Sequence, residues 1–119
     1  MKIRIGGLMM MALTMIISCK SAVVENPKSN IKDIVKSSDV TLLDVRSVEQ
    51  YQEATVKNAI NIPLAELEEK SESLKGKKVV VFCNKGIQAD KAVEILKKNN
   101  IEVYDGTNRF NVQAILDEK

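Results

Sequence analysis

VVVFCNKGIQADKAVEILKK, residues 79–98, runs from four apolar residues into a cysteine, then through a short polar loop with one glycine into a helical pattern. Four uninterrupted apolar residues are the mark of a strand buried on both faces, as in a parallel sheet. Ala89, Ala92, Val93 and Leu96 fall at i, i+3, i+4 and i+7, an apolar stripe that docks a helix on that sheet. In sheets built this way ligands bind outside the carboxyl ends of the strands. Cys83 stands at such an end, whereas a buried structural cysteine would more naturally fall inside the apolar run.

The flanking sequence alternates in the same manner. Asn30 is a cap for a short helix with Ile31, Ile34 and Val35 on one face. Val40 to Leu43 reads as a strand ending at Asp44, and Ser47 with Gln50 three residues later as a capping box for a helix to about Ala54. Ala59 to Ile62 is a short strand closed by Pro63, and Leu64 to Leu74 a charged, sparsely apolar helix with a solvated face, stopped near Gly76. Glu102 to Tyr104 forms a last strand, Asp105-Gly106 a turn, and Arg109 to Leu116 a closing helix; Ala22 to Glu25 is a candidate first edge strand. Alternating strands and helices with short connections predict an α/β fold, a small and mostly parallel sheet with helices on both faces. Three loops then converge at one sheet edge: the one after Asp44, the one beginning at Cys83, and the one from Gly106 to Arg109.

Composition excludes several kinds of chemistry. The chain has 119 residues, no histidine, no tryptophan and four aromatic residues, Tyr51, Phe82, Tyr104 and Phe110. So few aromatics argue against base stacking and nucleic-acid binding. Without histidine there is no Ser-His-Asp or Cys-His pairing and the usual metal ligand is missing, and neither a metal nor a cofactor is expected. A nucleophile here must be activated by backbone dipoles or by lysine and arginine.

The first nineteen residues, MKIRIGGLMMMALTMIISC, have the form of a targeting segment. Lys2 and Arg4 make a positive start, and Gly6 to Ile17 gives twelve mostly apolar residues, short for a bilayer span. The closing Ile16-Ile17-Ser18-Cys19 resembles the lipobox of bacterial lipoproteins, which implies acylation of Cys19 after removal of residues 1–18. The expected organisation is a signal over 1–18, a lipidated tether over 19–29 and one domain over 30–119. The expected location is the bacterial cell envelope, membrane-anchored by lipid and facing the periplasm or the outside. Loss of two of the 18 basic residues leaves 16 against 16 acidic, so the formal charge of +2 says nothing about nucleic acid. With Cys19 occupied by lipid, Cys83 has no intramolecular partner, and an unpaired thiol in an exported protein points to intermolecular pairing or reactivity.

Loop length sorts the possible cysteine chemistries. A phosphatase loop of the Cys-x5-Arg kind needs arginine where Ala89 stands, and a dithiol oxidoreductase needs cysteine where Gly86 stands. What remains is a cradle: backbone N–H groups of Asn84, Lys85, Gly86, Ile87 and Gln88 curl round the sulfur, with Gly86 supplying a conformation closed to most residues. The helix start adds about half a positive charge, which favours negative charge on sulfur.

Leu42-Leu43-Asp44-Val45-Arg46, Glu49-Gln50-Tyr51, Asn58 to Leu64 and Phe82-Cys83-Asn84-Lys85-Gly86-Ile87-Gln88 together resemble a single-domain rhodanese, over about residues 40–105. The likeness is to the small exported phage-shock-protein-E type of thiosulfate sulfurtransferase. It implies that Cys83 attacks the sulfane sulfur of a small sulfur-containing anion such as thiosulfate, and that the cysteine persulfide passes its sulfur to cyanide or a thiol acceptor. A monomer is expected, with no partner beyond these and the membrane. A second reading is a rhodanese-like module that carries a persulfide or binds a partner protein without fast turnover.

The chain also departs from the family's pattern. Family members often carry Gly-His-(Ile or Val)-Pro-Gly-Ala where this chain has Ala54 to Ala59. They usually have one or two loop arginines where Ile87 and Gln88 stand, and a Gly-Gly pair with an aromatic where this chain reads Gly106-Thr107-Asn108-Arg109-Phe110. These departures bear on turnover and substrate choice rather than on the fold. Asp44 and Arg46 are expected to support the site, bracing the loop or pairing with Glu49. Lys85 and Arg109 are the cations left to meet an anion, Arg109 orienting it and Lys85 raising its local concentration.

Overall fold

The computed structural model describes residues 30–118. The proposed signal, Cys19, the tether and the candidate strand at Ala22 to Glu25 lie outside the described residues. Four strands, β1 (Val40–Asp44), β2 (Ile60–Asn61), β3 (Lys78–Cys83) and β4 (Glu102–Asn108), form one sheet in the order β2-β1-β3-β4. Every pairing in it is parallel. The helices are α1 (Ile31–Lys36), α2 (Val48–Glu53), α3 (Leu64–Lys70), α4 (Ile87–Lys98) and α5 (Arg109–Asp117). The α/β class read from the sequence is the class observed.

The apolar run of β3 makes it the centre of two cores. Val79, Val81 and Cys83 face one cluster with Leu67, Leu74, Ala89, Ala92 and Leu96. Val80 and Phe82 face the other, with Val35, Leu42, Val112 and Ile115. Helices thus cover both faces, and each of Val79 to Phe82 is fully buried. Ala89, Ala92 and Leu96 are buried, so the apolar stripe of α4 is the face that packs on the sheet.

Local signals set most of the helix starts. The Asn30 side chain accepts the Lys32 N–H at 2.9 Å, and Ser47 with Gln50 forms a reciprocal capping box. The Asn108 side chain accepts the Asn111 N–H at 2.8 Å to open α5.

Three details differ from the sequence reading. The strand around Ile60 is confined to Ile60–Asn61, because Asn58 takes a positive φ of 68° and the Ala59 N–H turns back to Val56. The segment from Leu64 to Leu74 is an α-helix that tightens into a 3-10 turn at Ser71–Leu74, and it is no mere solvated face: Leu67 and Leu74 are fully buried. Finally, Asp105-Gly106 is not a turn, since β4 runs on to Asn108. Val81 pairs with Asp105 but Cys83 with Asn108, so three steps along β4 match two along β3, leaving a β-bulge beside the cysteine.

Candidate active site

Cys83 closes β3 as the strand meets α4, and Gly86 makes the connection possible. Its φ of 91° lies in the left-handed region, where a side chain is strained, and it lets the chain reverse within three residues. As a result the Gly86 N–H points at Sγ of Cys83 at 2.9 Å, and the Ala89 N–H, from the first turn of α4, reaches the same sulfur at 3.3 Å. Both are main-chain donors, joined by the positive end of the α4 dipole. Opposed to these donors is an acceptor, the Thr107 carbonyl at 3.6 Å from Sγ, which the thiol S–H can reach.

A cavity of about 340 Å³ opens over the sulfur, lined by Cys83, Asn84, Lys85, Ile87 and Gln88 from the loop and by Gln50 from α2. Its walls therefore offer three carboxamides, one apolar side chain and one cation. Ile87 is 64% exposed at the rim, and Cys83 is 1% exposed at the floor. Gln50 was not singled out for this wall by the sequence, because its local task, accepting from Ser47, accounts for its presence.

Asp44 and Arg46 are both buried, and they pair with each other rather than with Glu49. The guanidinium donates to both Asp44 carboxylate oxygens, with Nη2 to Oδ2 at 2.8 Å, and also to the Ala54 carbonyl. Thr55 Oγ1 donates to Asp44 Oδ2, while Asn61 Nδ2 donates to the carbonyls of Asp44 and Arg46. The pair fixes the β1 loop and the segment after α2, and neither residue lines the cavity over Cys83. Arg109 does not line it either. Its guanidinium carbon lies 4.3 Å from the centre of the exposed Phe110 ring, and its buried Nε has no hydrogen-bond partner among the described residues.

Beside the bulge, the Asp105 carboxyl is raised above the ordinary carboxylate range, first by burial and then by its hydrogen bond with the Asp90 carboxyl of α4. Among the described residues no group of three or more His, Cys, Asp or Glu is arranged to hold a metal ion.

A parallel α/β sheet with a thiol, the one among the described residues, cradled by main-chain N–H groups at the end of an inner strand defines a class of proteins that hold a cysteine at the floor of a small ligand cavity. The particular family follows: the Rhodanese-like domain model matches residues 28–110, and the chain belongs to that family. It is 35% identical over 74 residues to thiosulfate sulfurtransferase GlpE of Coxiella burnetii, a match spanning 60% of this chain and 69% of that protein. It is 46% identical over 59 residues to thiosulfate sulfurtransferase PspE of Escherichia coli, spanning 47% of this chain and 57% of that one. Among solved structures, a rhodanese with anions from Escherichia coli is 37% identical, with a TM-score of 0.56 over 60% of this chain and 89% of that chain.

Proposed function

We propose that this chain is a thiosulfate sulfurtransferase working through a persulfide on Cys83. The observation that carries the reading is the pair of main-chain donors, Gly86 and Ala89, on a cysteine sulfur at the floor of a small cavity. The Cys83 thiolate attacks the sulfane sulfur of thiosulfate, a new S–S bond forms, and the donor's S–S bond breaks with its electron pair leaving on sulfite. Cyanide or a thiol then attacks the outer sulfur, thiocyanate or a new persulfide departs, and the electron pair returns to the Cys83 sulfur. Names and similarity of GlpE and PspE support the donor class. The test is sulfite and thiocyanate release from thiosulfate and cyanide; the Cys83→Ser protein should release neither, and a wild type equally inactive would refute the reading.

The donor's charge is met, in this proposal, by two cations with different tasks. Lys85 lines the cavity and raises the anion's local concentration. Arg109, which lies outside the cavity wall here, orients the sulfonate only if its guanidinium leaves the Phe110 ring and its buried Nε gains a partner in doing so. Arg109→Ala should raise KM for thiosulfate at low and high salt, and Lys85→Ala mainly at low salt, where screening is weak. No change from either, with Cys83→Ser inactive, would move the donor to a neutral sulfur compound or a protein persulfide.

A specific observation also favours the second reading, a persulfide carrier with slow turnover: Lys85 is the single cation among the cavity's lining residues. Persulfide that forms on Cys83 but is discharged far more slowly than it is loaded would support it. We further propose the lipid-anchored envelope location and a monomeric state. Cys19→Ala should release or mislocalise the protein, and unchanged membrane retention with residues 1–18 absent would overturn the lipid anchor.

A further inference from the structure

We propose that Asp105 is a positioning residue for the Cys83 thiol, acting through Thr107, whose left-handed backbone it holds so that the Thr107 carbonyl meets the sulfur. The inference rests on the reading of Cys83 as the reacting thiol and adds to it the part that keeps its sulfur in place.

The starting point is a conformational oddity. Thr107 has a φ of 64°, although β-branched residues rarely occupy that region and are strained there. It lies in the β4 bulge opposite the end of β3, where the extra residue re-aims the backbone. Something must hold it there. The Thr107 N–H donates to Asp105 Oδ1 at 2.8 Å, a bond across two residues that closes the bulge. Within the bulge, Thr107 Oγ1 donates to the Gly106 carbonyl at 2.6 Å, and Asn111 Nδ2 donates to that carbonyl at 3.1 Å.

The bulge cannot relax by moving inward. A Cβ on Gly106 would lie 2.8 Å from Val80 Cγ1, 2.9 Å from Val112 Cγ2 and 2.9 Å from the Val81 carbonyl, so the backbone there already touches the core. On its other side Thr107 backs onto the cysteine loop, its Cβ 4.0 Å from where a Cβ on Gly86 would be. Fixed in this way, the Thr107 carbonyl stands 3.6 Å from Sγ and the Gly86 N–H 2.9 Å from it. While the thiol carries its proton, the S–H to the Thr107 carbonyl and the donors from the loop and α4 together select one position of the sulfur, and the thiolate that reacts is formed there. Without the Asp105 oxygen, Thr107 falls back toward the extended region, its carbonyl turns away, and Sγ is free to leave the Gly86 and Ala89 donors.

A double-mutant cycle tests this. Glycine is at ease at positive φ, so in the Thr107→Gly background the residue 107 N–H can still meet Asp105 but no strained backbone needs holding, and loss of the anchor matters less. The readouts are the alkylation rate of Cys83 by iodoacetamide, kcat and KM for thiosulfate, and thermal unfolding. Asp105→Ala in the wild-type background should slow alkylation and lower kcat about tenfold with KM little changed. Asp105→Asn, which keeps an oxygen for the Thr107 N–H, should stay close to wild type. Asp105→Ala in the Thr107→Gly background should change alkylation by less than about twofold. Equal losses in the two backgrounds, or an Asp105→Asn protein as impaired as Asp105→Ala, overturn the proposal. If Asp105→Ala alone does not fold, the comparison within the Thr107→Gly background still decides, a tenfold loss there being contrary to it. A wild type without thiosulfate turnover defeats the sulfurtransferase reading, and the alkylation arm still judges Asp105.

Discussion

Replacing Gly86 by alanine isolates the contribution of backbone conformation to the cysteine cradle. A Cβ added there would meet nothing closer than Thr107 Cβ at 4.0 Å, so no clash contributes. The cost comes from φ alone: at 91°, a residue with a side chain loses roughly 1–2 kcal/mol. The reduced freedom of the unfolded chain returns about 0.4–1 kcal/mol, leaving a net loss of about 1 kcal/mol. For a domain of this size that lowers Tm by about 4–8 °C, readable by thermal unfolding followed by circular dichroism. The chain can also relieve the strain by rotating out of the left-handed region. The Gly86 N–H then leaves the sulfur it now meets at 2.9 Å, and alkylation of Cys83 slows. Gly86→Asn should be milder on both counts, since asparagine tolerates that region better. A Gly86→Ala protein with the Tm and alkylation rate of wild type would refute the cradle.

Two further predictions concern the surroundings. Arg46→Ala leaves the Asp44 carboxylate, 0% exposed, without its guanidinium, and should cost about 3–5 kcal/mol in denaturant unfolding; a loss below about 1 kcal/mol contradicts the bracing role. The Tyr104 phenol is pushed up to about 12, mainly because it donates its hydrogen to the Glu102 carboxylate. A raised value favours the protonated folded form, so this contribution is intact below the ordinary phenol value near 10 and is lost as pH rises through about 12. In Glu102→Ala, phenolate absorbance should appear at lower pH than in wild type, and coincident titrations would exclude the bond.

The fold was legible where one physical requirement dominated. Burial of β3 on both faces demands an unbroken apolar run, and Val79 to Phe82 supply it. Packing of α4 demands a single stripe, and Ala89, Ala92 and Leu96 are that stripe. Gly86 was legible as the cradle's hinge because a positive φ has few other occupants. The bulge was not. Asp-Gly is a turn signal, and here the Asp105 carboxylate does bond a main-chain N–H two residues on, but inside a strand whose partner fixes a parallel register. Thr107 carries no sequence sign of a left-handed backbone, since the interactions that impose it are tertiary. The Asp44–Arg46 pair was legible only as a brace or as partners for Glu49; the turn after β1, closed by the Arg46 N–H on Asp44 Oδ1, sets the guanidinium on the carboxylate. Arg109 shows the limit of reasoning from sheet edges, for adjacency in the topology did not bring its guanidinium into the cavity wall.

Whether Cys83 carries the transferred sulfur is read by intact-mass and peptide mass spectrometry after brief exposure to thiosulfate. One added sulfur atom is expected on the peptide containing Cys83, removed by cyanide with matching thiocyanate release, and no addition in Cys83→Ser. An unmodified Cys83 in a folded protein, or equal sulfur loading of the Cys83→Ser variant, would contradict the persulfide on Cys83.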